Sequence, residues 1–583
     1  MFSHQGGWAG DIHTLNAYLN MMPLQEREEY VSHYVEAGQM PFMIVEGGTP
    51  FVYTFCRARH GFDEGRTSEP LATEYCAIYQ GRKSYAVEPD DYRKMIVAKL
   101  AKTQPPDAPD ISHFVNAHGQ IYDIIQGDNI SRTPQVQELE RLFIQNTWRS
   151  WRTMGLSALM IPWSMRELGW DAEGDRRGNV QVPMEPSNRG WSAPTVEAKK
   201  LYSYTSEAAT LLPAGQAVVS NSQPTLAWIC GTHGSGDVAD VTSKDHSFFA
   251  GREIRKSVAL INDGRETKPY TAIWTVEVAG RPIATKTEHG SLKPAEIALL
   301  PIRFDAPQKF DGVKADGVIT LAATIGGIEM KDAFPFRVFK PASPLVKAAT
   351  IDDPVGKTSA MLKEVGVKTT AWKPGSNGNL LLVGREYFNT HDQLPAGSQE
   401  FVEKGGRLVI FAQDPWRLRN LFNFRIAHQM PRNVFGIDPK HPVMTGLDDV
   451  DLCNWAGTST LAEARTRQEI PYTHTSYHVW KWGNRGGLSS AAIEKPHHSS
   501  WRPILECEFD LAYSPLMEMD YGKGRVILCT LDLEDYVSND PAARQLLANL
   551  IDYAKTALIE PKGGKTVYLG GDAGTKFLDS MGL

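Results

Sequence analysis

The 583-residue sequence is poor in cysteine. Its six thiols (Cys56, Cys76, Cys230, Cys453, Cys507 and Cys529) stand far apart and form no CxxC pair, which argues against a zinc framework and against a disulfide scaffold. No apolar run approaches the roughly 18 to 20 residues of a membrane helix, so no segment reads as spanning a bilayer. Positive charge is not in surplus either. The 61 Lys+Arg against 68 Asp+Glu give a net charge of −7 and a pI near 6.2, the wrong balance for a nucleic-acid partner. Residues 1–10, MFSHQGGWAG, carry neither the basic nor the apolar part of an export signal. The patterned sequence begins at once, as it would inside a domain.

What is present suits a large folded chain. At roughly 150 residues per domain the length corresponds to about four domains, and 42% hydrophobic with 22% charged residues is ordinary for buried cores. The 14 Trp and 20 Tyr fit sugar-binding clefts and ordinary cores alike.

Residues 1–170 alternate helices with short apolar runs. Pro23 to Gly38 predicts a helix with Leu24, Val31, Tyr34 and Val35 on one face. The run Pro41-Phe42-Met43-Ile44-Val45, ending in Glu46-Gly47-Gly48, predicts a strand buried on both faces. Ser68 caps an expected helix through Tyr79; a further helix is expected from about Pro134 to Trp151, and a second buried strand from Leu156 to Ile161. Such a succession implies a parallel sheet. From Asp171 to about Pro213 the chain turns polar, as in edge loops and a linker. Between about 215 and 340 the period changes to two, with short strands and turn signals that predict a β-sandwich. From about 345 the helix–strand alternation returns: apolar runs at 380–384, 407–411 and 525–529 are the expected central strands, with helices near 357–365, 396–404 and 541–557, an open doubly wound α/β domain. The closing segment GTKFLDSMGL echoes GKTSAMLKEVGV, Leu362 and Gly366 being matched by Leu578 and Gly582; residues 561–583 therefore read as a tail or the start of a further unit, and the chain as a fragment.

The sharpest chemical feature is Glu46. A carboxylate closing an apolar strand is costly unless something uses or pairs it, and in parallel α/β folds the carboxyl ends of strands face the ligand site. GDIHTLNAYLN places His13, Asn16 and Tyr18 in what reads as the preceding strand and its exit, and Trp163 follows the next strand. A carboxylate, a hydroxyl to hold it and an aromatic floor are the set a retaining glycosidase needs.

On GDIHTLNAYLN, MPFMIVEGGTPF and GLSALMIPW, in that order, the chain resembles the C-terminal part of a clan A glycoside hydrolase barrel, of the glycoside hydrolase family two and β-galactosidase-like kind. The resemblance covers residues 1 to about 170 and is matched to strands six, seven and eight, with Phe2 to Gly6 as strand five. It implies Glu46 as nucleophile, Tyr18 as its support and Trp163 as the floor of the sugar subsite, with His13 and Asn16 toward substrate hydroxyls. The family's acid/base Glu falls on strand four, upstream of this sequence. Enzymes of this group carry a β-sandwich after the barrel, which SVALINDG resembles, and the 345–558 region looks like the class I glutamine amidotransferase-like domain of some β-galactosidases, implying assembly of copies through it. A working amidotransferase needs a Cys in a G-x-C-x-G elbow; the surroundings of Cys453, Cys507 and Cys529 lack those glycines, so that domain is expected to be non-catalytic.

Weaker signals read as structure. Gly356-Lys357-Thr358 lacks the earlier glycine of a phosphate loop. His474 and His478, and the pair His497-His498, read as structural histidines; Gly231 to Gly236 reads as a flexible turn. Asp448, Asp449 and Asp451 could ligate calcium, a solvated turn being the commoner reading. The expected fold is thus part of a TIM (β/α)8 barrel (1–195), an Ig-like β-sandwich (215–342) and a flavodoxin-like, amidotransferase-like doubly wound domain (345–560). The expected function is retaining hydrolysis of a β-linked saccharide, with no cofactor or metal, a carbohydrate substrate, no nucleic acid and no membrane, in a secreted or periplasmic setting implied by the resemblance. The rival is a non-catalytic carbohydrate-binding or assembly scaffold.

Overall fold

The computed structural model describes residues 11–17, 28–38, 40–47, 81–82, 134–156, 158–159, 170–171, 186–187, 190–191, 210–232, 237–427, 430–462, 484–496, 499–507 and 511–556. No helix among them is long and apolar enough to cross a membrane. The chain is a β-rich mixed α/β protein of several sheets, arranged in three successive blocks.

The first block is a parallel sheet of β1 (His13–Ala17), β2 (Phe42–Gly47) and β3 (Ala158–Leu159), neighbours in chain order. Helix α1 (Ser32–Ala37) lies between β1 and β2 in sequence, and α2 (Pro134–Met154) between β2 and β3. Helix α1 ends where Gly38 enters the left-handed region at φ 56° and its N–H closes on the Tyr34 carbonyl, a conformation glycine adopts without a Cβ clash. Along α2, Phe143, Ile144, Trp148, Trp151 and Met154 recur at helical spacing and are buried; the helix continues past the expected Trp151 to Met154, where Gly155 at φ 96° stops it. Phe42 and Ile44 pack with Tyr30, Val31, Trp151 and Met154, in a core that also takes in Cys230, Val241 and Ala259 of the second block. Among the described residues this sheet is open, with no closed barrel.

Residues 213–221, where a period of two was expected from about 215, form α3 (Pro213–Asn221) instead. Pro213 presets the first turn, and Ala214, Ala217 and Val218 bury one face against Phe143, Ile144 and Trp148 of α2. Packing against a neighbouring helix overrides the local pattern there.

The second block is a two-sheet sandwich. Its strands are β4 (Thr225–Cys230), β5 (Ser247–Phe249), β6 (Glu253–Asn262), β7 (Lys268–Val278), β8 (Arg281–Leu292), β9 (Glu296–Asp305), β10 (Lys314–Ile325) and β11 (Ile328–Phe339). One sheet runs β9-β6-β4 and the other β8-β7-β10-β11-β5. Alternate residues of both sheets, including Val258, Leu260, Ile302, Trp274, Val276, Ile319 and Leu321, meet in the core. The β10–β11 turn is the pair Gly326-Gly327, both at positive φ (57° and 86°), as a two-residue hairpin requires.

The third block is a ten-stranded sheet with helices on both faces. Its elements are β12 (Ala348–Asp352), α4 (Lys357–Glu364), β13 (Lys368–Ala371), β14 (Leu380–Val383), α5 (Ser398–Glu403), β15 (Arg407–Ile410), α6 (Pro415–Phe422), β16 (Ile426–Ala427), β17 (Val434–Gly436), β18 (Ala492–Glu494), β19 (Arg502–Cys507), β20 (Tyr513–Tyr521), β21 (Gly524–Cys529), α7 (Leu533–Tyr536) and α8 (Pro541–Thr556). The sheet runs β13-β12-β14-β15-β21-β20-β18-β16, with β19 beside β20 and β17 beside β19. The strands from β13 to β21 along that path are parallel, and antiparallel pairing begins at β20. Strand β14 explains its own composition: Leu380 and Leu382 enter one core while Leu381 and Val383 enter the other, so every position is apolar.

Charged residues join the blocks. Arg149 and Arg152 of α2 pair with Asp332 (3.1 Å) and Asp263 (2.8 Å) of the sandwich. Asp448 and Asp451 receive Lys314 and Arg337 from β10 and β11. The expectation of a solvated turn or calcium ligands there is corrected: two basic side chains of another block take the carboxylates, and Asp451 has no exposure.

Candidate functional site

The carboxyl ends of β1 and β2 are set by a change of register. His13 lies opposite Phe42, Thr14 opposite Met43 and Leu15 opposite Ile44, but Asn16 lies opposite Glu46. Val45 is therefore an extra residue in β2, a bulge of the kind found where a strand is re-aimed beside an active site. Thus Glu46 and Asn16 are partners at the exits of adjacent parallel strands.

His13 is not brought to that place. It begins β1 opposite Phe42, at the other end of the strand pair, about 13 Å of strand from the Glu46 position. Its ring stands edge-on to Tyr34 (5.2 Å) and Phe42 (5.4 Å), and burial lowers its pKa. Tyr18 and Trp163 lie outside the described residues, as do His474, His478, His497, His498 and the middle of the 231–236 glycine turn.

A second set of polar groups gathers at the carboxyl ends of the large sheet. The chain leaves β12 toward β13 on one side and continues to β14 on the other, which makes a topological switch point where doubly wound sheets bind ligands. Arg385, directly after β14, is fully buried; it donates to Asp535 at 2.6 Å and to Thr460 at 2.7 Å. Lys357 at the start of α4 also reaches Thr460 (3.0 Å), and Thr358 donates to Glu534 at 2.7 Å. Glu386 holds φ 60°, a conformation uncommon outside glycine. Burial pushes the Asp532 carboxyl up to about 6 and that of Glu534 up to about 7. At the exit of β15 stands Gln413, whose amide donates to the Gly384 and Phe411 carbonyls (both 2.8 Å) and accepts from the Phe388 N–H (3.1 Å). The segment that reads as a phosphate-loop echo is the start of α4, and its turn is capped by Asp353, which accepts from the Gly356 and Ser359 N–H groups. Cys453 accepts from the Asn454 side chain at 2.8 Å, while Cys230, Cys507 and Cys529 are buried. No cluster of three metal-ligating side chains occurs among the described residues.

Sequence reasoning passed over Arg385, Asp532, Glu534 and Asp535. The signal for Arg385 was the one used for Glu46: a charge closing an apolar strand, here after Leu380–Val383.

A family model described as a domain of unknown function (DUF8487) matches residues 472–567, which include β18 to α8. No curated protein matches the chain. Among solved structures, the CARDB domain of a Pyrococcus furiosus protein, determined with di-metal ions, is 17% identical over 20% of this chain and 86% of its own, with a TM-score of 0.14. A FixG-related protein from Vibrio parahaemolyticus is 17% identical over 20% of this chain and 97% of its own, with a TM-score of 0.13. Red sea bream transglutaminase is 8% identical over 25% of this chain and 22% of its own, with a TM-score of 0.15. Likenesses of this size carry no argument about fold or chemistry.

Proposed function

We propose that this chain carries the nucleophile side of a retaining glycosidase acting on a β-linked saccharide, with Glu46 as the nucleophile. The observation that supports it is the register shift at Val45, which sets Glu46 opposite Asn16 at the exits of two parallel strands. Chain-order neighbours β1, β2 and β3, with helices between them in sequence, suit consecutive units of a (β/α)8 barrel. In the same reading the second block is an Ig-like sandwich and the third a flavodoxin-like, amidotransferase-like domain.

Chemically, the Glu46 carboxylate attacks the anomeric carbon as the glycosidic oxygen leaves with a proton from an acid, giving a glycosyl ester that water then hydrolyses. Tyr18 hydrogen-bonds the carboxylate, Trp163 floors the sugar ring and Asn16 meets a substrate hydroxyl. Retention requires a second carboxyl about 5 to 5.5 Å away, a role this reading gives to none of the residues named here. The test is trapping of the full-length gene product with an activated 2-deoxy-2-fluoro-glycoside, followed by peptide mass analysis. Label on Glu46 is expected; label on another residue overturns the assignment.

A further inference from the structure

We propose that the third block carries a guanidinium-binding socket, built by Asp449, Glu506, the Gly436 carbonyl and the Phe435 ring, which the chain fills with its own Arg82. The socket is independent of Glu46 and its chemistry. Arg82 belongs to the connection between β2 and α2 and precedes Asp449 by 367 residues. Its Nε donates to Asp449 Oδ2 at 2.7 Å, Nη1 to Glu506 Oε1 at 3.2 Å and Nη2 to the Gly436 carbonyl at 2.8 Å. The Cζ atom stands 5.0 Å from the centre of the Phe435 ring. Every nitrogen of the planar fork is thus engaged, and so is its π-face. A lysine ammonium has neither the plane nor the spread of donors to match that pattern.

The third block sets this geometry by itself. Phe435 and Glu506 are cross-strand partners of β17 and β19. The Gly436 N–H donates to Asp449 Oδ1 at 3.1 Å, and Lys495 Nζ donates to Glu506 Oε2 at 2.9 Å. Each carboxylate therefore has one oxygen fixed within the block and turns the other to the guanidinium, a pre-organised arrangement. Two acids against Lys495 leave one negative charge, the complement of a single guanidinium. Gly81 takes φ 65°, in the left-handed region, and a Cβ there would stand 3.8 Å from Phe435 Cε1, so the turn that carries Arg82 lies against the same ring. The Arg82 side chain is 36% exposed, which leaves the socket an open side for entry. A single exposed ion pair contributes little; three bonds, a ring face and two fixed carboxylates make a site whose ligand class is the arginine side chain.

The test uses the full chain with Arg82→Ala, which empties the socket, and titration calorimetry with ethylguanidinium and with ethylammonium. Arg82→Ala is expected to bind ethylguanidinium. The wild type, whose socket is filled, and Arg82→Ala combined with Glu506→Gln are each expected to bind it about ten-fold more weakly, as is ethylammonium by Arg82→Ala. A second measurement needs no emptied socket and decides the matter if Arg82→Ala does not fold. Phenylglyoxal, which attacks free guanidinium groups, should modify Arg82 of the wild type about ten-fold more slowly than Arg425, whose side chain is 84% exposed. Asp449→Asn should bring the two rates together. Equal affinity of Arg82→Ala for the two cations shows a mere acidic patch and overturns the socket. So do absence of ethylguanidinium binding by folded Arg82→Ala, binding that Glu506→Gln leaves unchanged, and an Arg82 modification rate equal to that of Arg425 or unaltered by Asp449→Asn.

Discussion

Arg337 on β11 and Asp451, in the turn before Trp455, meet across the boundary between the sandwich and the ten-stranded sheet, with Nη1 donating to Oδ1 at 2.5 Å. The same nitrogen donates to Asp448 at 2.6 Å, and Lys314 Nζ donates to both carboxylates. Asp451 accepts besides from the Asp448 N–H at 2.8 Å. Burial alone would raise the Asp448 carboxyl; the hydrogen bonds from Arg337 and Lys314 outweigh it and hold that group at about 2.

Removing the buried member of this group leaves Arg337 and Lys314 sharing the half-exposed Asp448 as counter-ion and loses the buried half of the clasp. Asp451→Asn is expected to destabilise the chain by about 3 kcal/mol. Calorimetric melting is the measurement, and the sandwich is expected to melt apart from the third block. A single transition at the wild-type temperature would contradict the clasp.

Stability should peak at mildly acidic pH. Burial holds Asp532 at about 6 and Glu534 and Asp540 at about 7, above the roughly 4 of an unfolded carboxyl. The folded state therefore binds protons that the unfolded state has lost; the stability this brings is full below about pH 4 and disappears as pH rises through 6 to 7. Asp448 works in the opposite sense, its contribution being present above about 4 and lost as pH falls toward 2. Urea midpoints should be higher at pH 5.5 than at pH 8, and Asp532→Asn should flatten that slope.

Gly384 is fixed by the loop it touches. A Cβ there would meet Asp353 Oδ1 at 2.4 Å, and Asp353 cannot withdraw without releasing the Gly356 and Ser359 N–H groups at the start of α4. Gly384→Ala is expected to cost about 2 kcal/mol, read from chemical denaturation. Gly280 supplies the contrast: open space surrounds it and only its φ of 70° resists a side chain, so Gly280→Ala should cost about 1 kcal/mol or less.

Thiol reactivity should separate the described cysteines. Burial pushes Cys230 up to about 12 and raises Cys529 as well, whereas Cys453 is partly exposed. Under native conditions a disulfide reagent followed by peptide mapping should modify Cys453 first. Equal rates at Cys230 and Cys453 would show that the second block opens locally.

Much of the third block was legible because its strands are buried on both faces. The apolar runs at 380–383, 407–410 and 525–528 could only be interior strands of a parallel sheet, and the helices at 357–364, 398–403 and 541–556 stand where the alternation put them. Helix α3 was not legible, since Ala214, Ala217 and Val218 suit a helix only when α2 lies beneath them. For the candidate site, Glu46 was visible as a charge ending an apolar strand. Nearness in sequence to Asn16 hid the place of His13 at the opposite end of β1.

The sequence by itself determined where the central strands and the helices of the third block lie, because periodicity and burial are properties of neighbouring residues along the chain. Only the tertiary structure decided that Val45 is surplus to the β1–β2 ladder, that Arg337 and Lys314 claim Asp451, and that Asp449 and Glu506 receive Arg82. Each of these depends on which distant backbone or charge comes to lie opposite, and no local pattern encodes that.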